Sequence, residues 1–309
     1  MNESKRPVAI TLTYLTKISF SSLNGGESDA DNINVIKKIT AFDNKEFPYV
    51  SSQALRRALR DQLSNMGYNV SPIVEGKDKK KKDDGDEGDS PRGAKHPPMT
   101  MCDPEQYIDD DLFGFMNAQK ETIKRTSPVR VTPLVALTPF KGNMDFGTNY
   151  MGREVGKDPN IYETEIHRGL YRGTILIELD RVGRGEGFSK PIPAGETNPN
   201  AAKDRVLALL DAFQNMWSSG RQSRFLADIS PKFVAAALMT SKNPIFLEAL
   251  DASMDVEALK QTVKDYQKYV RDFCFTAQKA VFPESPEEVI DLDKGFETIR
   301  KWVTEYYQG

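Results

Sequence analysis

Residues 8–20, VAITLTYLTKISF, alternate apolar and polar side chains. Val8, Ile10, Leu12, Tyr14, Ile18 and Phe20 share one face, and Thr11, Thr13, Lys17 and Ser19 the other, a period of two that predicts a half-buried strand. The period changes at VSSQALRRALRDQL (50–63). Ser51 and Ser52 suit an N-cap after the extended Pro48-Tyr49-Val50 lead-in, and Ala, Leu, Arg and Gln propagate helices, so a helix is expected from about 51 to 66. At about 100° per residue, Leu55, Ala58, Leu59, Leu63 and Met66 gather on one side and Gln53, Arg56, Arg57 and Arg60 on the other.

Further along, SPVRVTPLVALTPF reads as a strand in which Pro133 marks an edge or a bulge, and GLYRGTILIELDRV (169–182) as another. AAKDRVLALLDAFQNMWSSG reads as an amphipathic helix with Val206, Leu209, Leu210, Phe213 and Trp217 inward and Gly220 as C-cap. A loop through RQSRFLADISPK leads to a short strand, and from about 252 onward the pattern is helical, Pro283 and Pro286 separating two helices. Two stretches fit neither period. GKDKKKKDDGDEGDSPRGAKHPP (76–98) is nearly free of apolar residues and reads as a solvated insertion. Residues 141–166 are rich in Gly and Asn yet carry Met144, Phe146, Tyr150 and Met151, which suits a protruding hairpin or a structured loop. Strands and helices mixed in this order predict an α+β fold, a split βαβ or ferredoxin-like sheet with helices on one face.

Charge narrows the function. The 309 residues hold 42 Lys and Arg against 45 Asp and Glu, a net charge of −3, which argues against coating nucleic acid with the whole surface. A local basic groove remains open, because phosphate contacts need only a few well-placed cations. The lysines of the 76–98 tract are largely cancelled by Asp83, Asp84, Asp86, Glu87 and Asp89. No apolar run reaches bilayer-spanning length, and MNESKRPVAITL has no signal-peptide core, so no membrane partner is expected. The two cysteines, Cys102 and Cys274, suggest no disulfide framework; a reducing cytoplasm is the natural location.

Catalytic chemistry is sparse. His96 and His167 are the only histidines, and no spacing supports a zinc site, so neither metal nor cofactor is expected. Consecutive Asp109, Asp110 and Asp111 point in different directions and read as helix-start charges. GRGEG (183–187) follows a strand but opens no helix, which fails the context for a dinucleotide loop. Binding features are stronger: the arginine face of the first helix, RQSR (221–224), and Lys124, Arg125 and Arg130 flanking a strand. Each cluster alone suits solubility, whereas three near sheet edges suit a groove for a phosphate backbone. The aromatic motif of the common RNA-recognition domain is absent, so base stacking on the sheet face is not indicated, and no helix-turn-helix is evident.

Ser51-Ser52-Gln53, Leu55-Arg56-Arg57-Ala58 and Arg60 together resemble the signature of the repeated backbone subunit of type I CRISPR Cascade complexes, the CasC/DevR family. DLFGFM (111–116), GLYRGTILIELD (169–180) and SGRQSRFLADISP (219–231) resemble later family segments in the same order, over about residues 8–250. The DevR-like branch of type I-B systems is the most similar. The resemblance implies a modified RNA-recognition-motif palm with fingers and thumb. Residues 1–66 would be the first part of the palm, 67–110 a finger-like insertion, 111–138 palm, 139–168 the thumb hairpin, and 169–309 palm and C-terminal helices. It implies a non-catalytic subunit of an antiviral surveillance complex. Copies would stack along a CRISPR RNA (crRNA) and present it for pairing with target DNA, beside other Cascade subunits. RNA-binding residues would be Lys17, Ser51, Ser52, Gln53, Arg56, Arg57, Arg60, Gly220, Arg221, Gln222, Ser223 and Arg224. Phe140, Met144, Phe146 and Tyr150 would wedge between bases, internal hairpin packing being the other reading. The 76–92 tract matches nothing in the family and leaves the finger boundary imprecise, and the helices after 250 lie outside the match. The alternative is a metal-dependent ribonuclease of the related type III backbone class, for which Asp29, Asp31 or Asp43 would supply the carboxylate.

Overall fold

The computed structural model describes residues 6–27, 32–74, 99–118, 122–156, 158–191, 201–218 and 224–308. In chain order the first elements are β1 (Ala9–Ser21), β2 (Ile33–Asn34), β3 (Lys38–Thr40), β4 (Glu46–Val50), α1 (Ser52–Asn65) and α2 (Ile108–Phe113). There follow β5 (Phe115–Ala118), β6 (Thr122–Arg125), β7 (Val129–Val131), β8 (Leu134–Ala136), β9 (Met144–Asn149), a 3-10 turn (Tyr150–Val155), β10 (Asn160–Glu165) and β11 (His167–Glu178). The last are α3 (Ala202–Gln214), β12 (Phe233–Met239), α4 (Val256–Asp265), β13 (Val270–Ala277), β14 (Ile290–Asp291) and α5 (Leu292–Gln308). The tract 76–98, with His96, lies outside the described residues.

Among the described residues nine strands form one sheet, in the order β14-β13-β12-β1-β11-β8-β4-β3, with β7 also paired to β11. β1 pairs antiparallel with β11 on one side and β12 on the other, so it is central. Its period of two holds, yet the strand is not half-buried. Ile10, Leu12 and Tyr14 pack with Leu55, Leu59, Phe213 and Phe296 under α1, α3 and α5. Leu15 packs on the opposite face with Phe233, Phe246, Leu259 and Phe275 under α4. Both faces are covered, which corrects the expectation of helices on one face only. Thr11, Thr13 and Thr16 are therefore fully buried. Thr13 and Thr174, opposite each other in the register, join their hydroxyls at 2.9 Å, which offsets part of the cost of burying them.

Three further expectations change and one holds. Phe20 belongs to the apolar face by pattern but stands in solvent, because the β1–β11 register shifts between Ile18 and Ser21. The bulge expected at Pro133 is present: it separates β7 from β8, and their pairing with β11 slips by one residue across it, the proline having no N–H for a ladder. α3 ends at Gln214 with Asn215 as C-cap, so Gly220 does not cap it; Trp217 lies past the end, half-buried, in a bridge to Asp228. The region after 252 is not wholly helical: β13 runs between α4 and α5, paired along its length with β12.

Two smaller sheets stand off the main one. β9 and β10 form an antiparallel hairpin that β2 joins in parallel, and β5 pairs with β6.

Candidate nucleic-acid interface

The first helix starts as its sequence requires: Ser51 is the N-cap and its hydroxyl accepts the Ala54 N–H at 3.3 Å. Asn24 anchors the lead-in, its side-chain oxygen accepting the Ser51 N–H at 2.9 Å. Ser52 and Gln53 hydrogen-bond each other at the exposed start of the helix. The arginine face then divides. Arg57 is 59% exposed and bonds Asp61 one turn on, at 2.8 Å. Arg56 is half-buried, which draws its pKa below the usual arginine range, and nothing among the described residues accepts from its Nε–H. Arg60 turns the other way: its Nε lies 2.6 Å from Asp109, with the side chain only 14% exposed. It sits on the same line of the helix as Gln53 and Arg57, but α2 covers that part of the line.

A groove of about 280 Å³ runs between α1 at Ala54, Arg57 and Ala58, the Ser22–Gly25 turn, and Ser218. Ser218 is the described residue that immediately precedes 219–223 in the chain. Gly220, Arg221, Gln222 and Ser223 lie outside the described residues. Arg224 is described. It bonds Asp145 on β9 at 2.7 Å and Thr164 on β10 at 3.3 Å. Its guanidinium also covers the rings of Tyr162 and Phe225 at 4.8 and 5.1 Å. Lys17 is exposed near the end of β1.

The 144–165 segment is a hairpin with much of its apolar surface outward. Phe146 and Tyr150 are 63% and 60% exposed, and Met144 is also exposed. Phe140 is half-buried, with the Lys38 ammonium 4.4 Å over its ring. Met151 and Ile161 are exposed as well; Met151 sits in the 3-10 turn at the tip. Sequence reasoning gave neither a role, although both share the signal used for their neighbours: large apolar residues in a Gly- and Asn-rich segment.

Beneath the groove, the three aspartates of α2 do point in different directions, but all are buried. Asp109 binds Arg60 and the Ser71 N–H, and Asp110 the Asp103 N–H. Asp111 binds Arg125, Arg205 and the Gly183 N–H. Arg125 is thus no surface cation: it is fully buried, and it also donates to the carbonyls of Arg184 and Glu186 in the GRGEG loop. Arg130 pairs with the buried Glu178 yet stays 54% exposed, so it and Lys124 are the exposed members of that cluster.

The two described catalytic candidates, His167 and Asp43, each have partners of their own. His167 is buried, its Nδ1 2.8 Å from the Tyr171 hydroxyl, and burial lowers its pKa below the usual histidine value. Asp43 is exposed in a turn, and hydrogen bonds from Lys45 hold its carboxyl below the usual range. Asp29 and Asp31 lie outside the described residues. Among the described residues no group of three or more His, Cys, Asp or Glu is placed to hold a metal ion. No described helix is long and apolar enough to cross a membrane.

Comparison with known proteins places this geometry. A family model described as "CRISPR-associated negative auto-regulator DevR/Csa2" matches residues 12–258. A Myxococcus xanthus (strain DK1622) protein, "CRISPR-associated protein Cas7/Cst2/DevR", is 26% identical over 270 residues, which cover 81% of this chain and 80% of the relative. Among solved structures, a chain of a "CRISPR RNA-guided surveillance complex, pre-nicking" superposes with a TM-score of 0.64 at 14% identity, over 96% of this chain and 100% of that one. A chain of a "CRISPR RNA-guided surveillance complex" gives 0.57 at 15% identity, over 95% and 98%. These structures share the fold, a mixed α+β architecture built on a large sheet. With a family model matched over most of its length, the chain belongs to the DevR/Csa2 family of CRISPR-associated proteins.

Proposed function

We propose that the chain is a non-catalytic backbone subunit of a type I surveillance complex, which binds crRNA, stacks with further copies along it in the cytoplasm, and leaves the bases free to pair with target DNA. The nine-stranded sheet with its helices is the palm, a modified RNA-recognition fold. The finger-like insertion lies within 67–110, and the 139–168 hairpin is the thumb, with Phe140, Met144, Phe146 and Tyr150 as wedges.

The observation that carries this reading is the groove between α1 and Ser218, the residue that precedes the 219–224 motif in the chain. Exposed Arg57 lines it, and exposed Gln53 and half-buried Arg56 lie elsewhere on the same helix. Such groups suit phosphate and ribose, which carry no sequence information, and so suit a subunit that must hold any guide.

Arg57→Glu tests it. The Arg57–Asp61 pair is an exposed i,i+4 bridge worth about 0.3–0.5 kcal/mol, so the fold is retained while a phosphate contact becomes a repulsion. The expected result is loss of the short RNA that co-purifies with the wild-type chain. Salt dependence should also weaken, the log–log slope shrinking by about 0.7 per contact removed. A wild-type chain that carries no short RNA, or an Arg57→Glu chain that carries as much, overturns the proposal. Regularly spaced Mg²⁺-dependent cuts in complementary RNA would favour the ribonuclease reading instead.

A further inference from the structure

Phe20 is 52% exposed, near the end of a strand that is otherwise largely buried. The register shift between Ile18 and Ser21 turns it out of the apolar face to which its position in the pattern assigns it. An exposed phenylalanine alone is ordinary. This one is backed. Its ring lies 5.6 Å from that of Phe225, tilted by 52°, and Phe225 is itself buried. The Arg224 guanidinium lies over Phe225 at 5.1 Å and over Tyr162 at 4.8 Å. Four planar groups from β1, β10 and the segment after residue 223 thus form one row, and Phe20 is its open end. Lys17, three residues earlier on the same strand, is also exposed.

We propose that the free face of Phe20 is a ledge on which one base of the bound single-stranded RNA stacks. The inference rests on the guide-binding reading and adds a base contact to its phosphate contacts. Stacking suits that role because every base has a π-face, so affinity is gained without sequence preference. The ledge is also held before RNA arrives: Phe225 supports the ring, and Arg224 is fixed by Asp145 and Thr164. The exposed Lys17 on that strand end favours a polyanion over a second copy of a chain whose net charge is −3.

The test uses the full chain with a fluorescein-labelled mixed-sequence RNA of about thirty nucleotides, and Phe20→Ala and Phe20→Trp. Loss of one stack weakens binding about 5- to 150-fold. Phe20→Ala should fall in that range with an unchanged melting curve, since the ring is half outside the fold. Phe20→Trp should keep wild-type affinity, and its added emission should be quenched by RNA but not by a strand made abasic throughout. If wild type binds RNA and Phe20→Ala binds as tightly, or Phe20→Trp is not quenched, the ledge is refuted while guide binding stands. If wild type binds no RNA, both fall. If Phe20→Ala changes only self-association in sedimentation, the ring is a contact between copies and the proposal is wrong.

Discussion

Replacing Asp111 with asparagine removes one negative charge from the centre of the interior. Its carboxylate has no exposure and accepts from Arg125 at 2.5 Å, Arg205 at 2.7 Å and the Gly183 N–H at 3.0 Å. Both arginine side chains are buried, 0% and 1% exposed, so the variant leaves two guanidinium charges without their counter-charge. Breaking a buried pair by removing one partner costs about 3–5 kcal/mol. The arginines retain carbonyl acceptors at Arg181, Arg184 and Glu186 for one and Pro104 and Glu105 for the other, which points to the lower end, about 3 kcal/mol. That is a large share of the roughly 5–15 kcal/mol by which folded chains are stable. With a urea slope of roughly 3 kcal/mol per molar, the unfolding midpoint should fall by about 1 M at an unchanged slope. Equilibrium urea unfolding followed by circular dichroism reads this directly. A midpoint within about 0.2 M of wild type would refute the reasoning that Asp111 neutralises the two arginines.

Three other outcomes follow from the same geometry. Burial lowers the His167 pKa, so the unfolded chain takes up its proton first; stability should be lost as pH falls from about 6.5 through the folded value, and His167→Gln should flatten that slope. An unchanged slope in the variant would assign the effect to other groups. The Arg224–Asp145 pair, about a third exposed at each end, is worth up to about 1 kcal/mol. Arg224→Glu should speed amide exchange in β9 and β10, and adding Asp145→Arg should slow it again; equal exchange in all three proteins would mean that the hairpin is held by other contacts. Partial burial pushes the Cys274 thiol up to about 12, with Asp272 adding to it, so at pH 8 iodoacetamide should label Cys274 far more slowly in the native chain than in urea. Fast labelling in the native chain, read by mass spectrometry, would contradict that burial.

Where one periodicity decided burial, the sequence was readable. β1, α1, β11 and β12 lie close to where their patterns place them, because a strand or helix with a strong apolar face has few other ways to bury it. β13 was not readable: VRDFCFTA mixes charges with aromatics, and only pairing with β12 makes it a strand. Arg60 and Arg125 looked like surface cations because their partners, Asp109 and Asp111, arrive in a six-residue helix that offers little local pattern. Three consecutive acids beside an otherwise apolar segment were the available sign that buried arginines would be needed. Phe20 escaped for a different reason. A register shift depends on how two strands match, and neither strand states it alone.

β1 carries two kinds of selection on one strand. Residues Ala9–Thr16 are wholly buried, whereas Lys17, Ser19 and Phe20 are exposed. Substitutions walked along it one by one should change phenotype partway: at first the cell loses the protein itself, degraded because it does not fold, and after Thr16, on the proposed guide-binding role, it keeps normal amounts of a protein that holds its guide poorly. The boundary between abundance and activity would then fall within a single strand, a few residues from the point where its register slips.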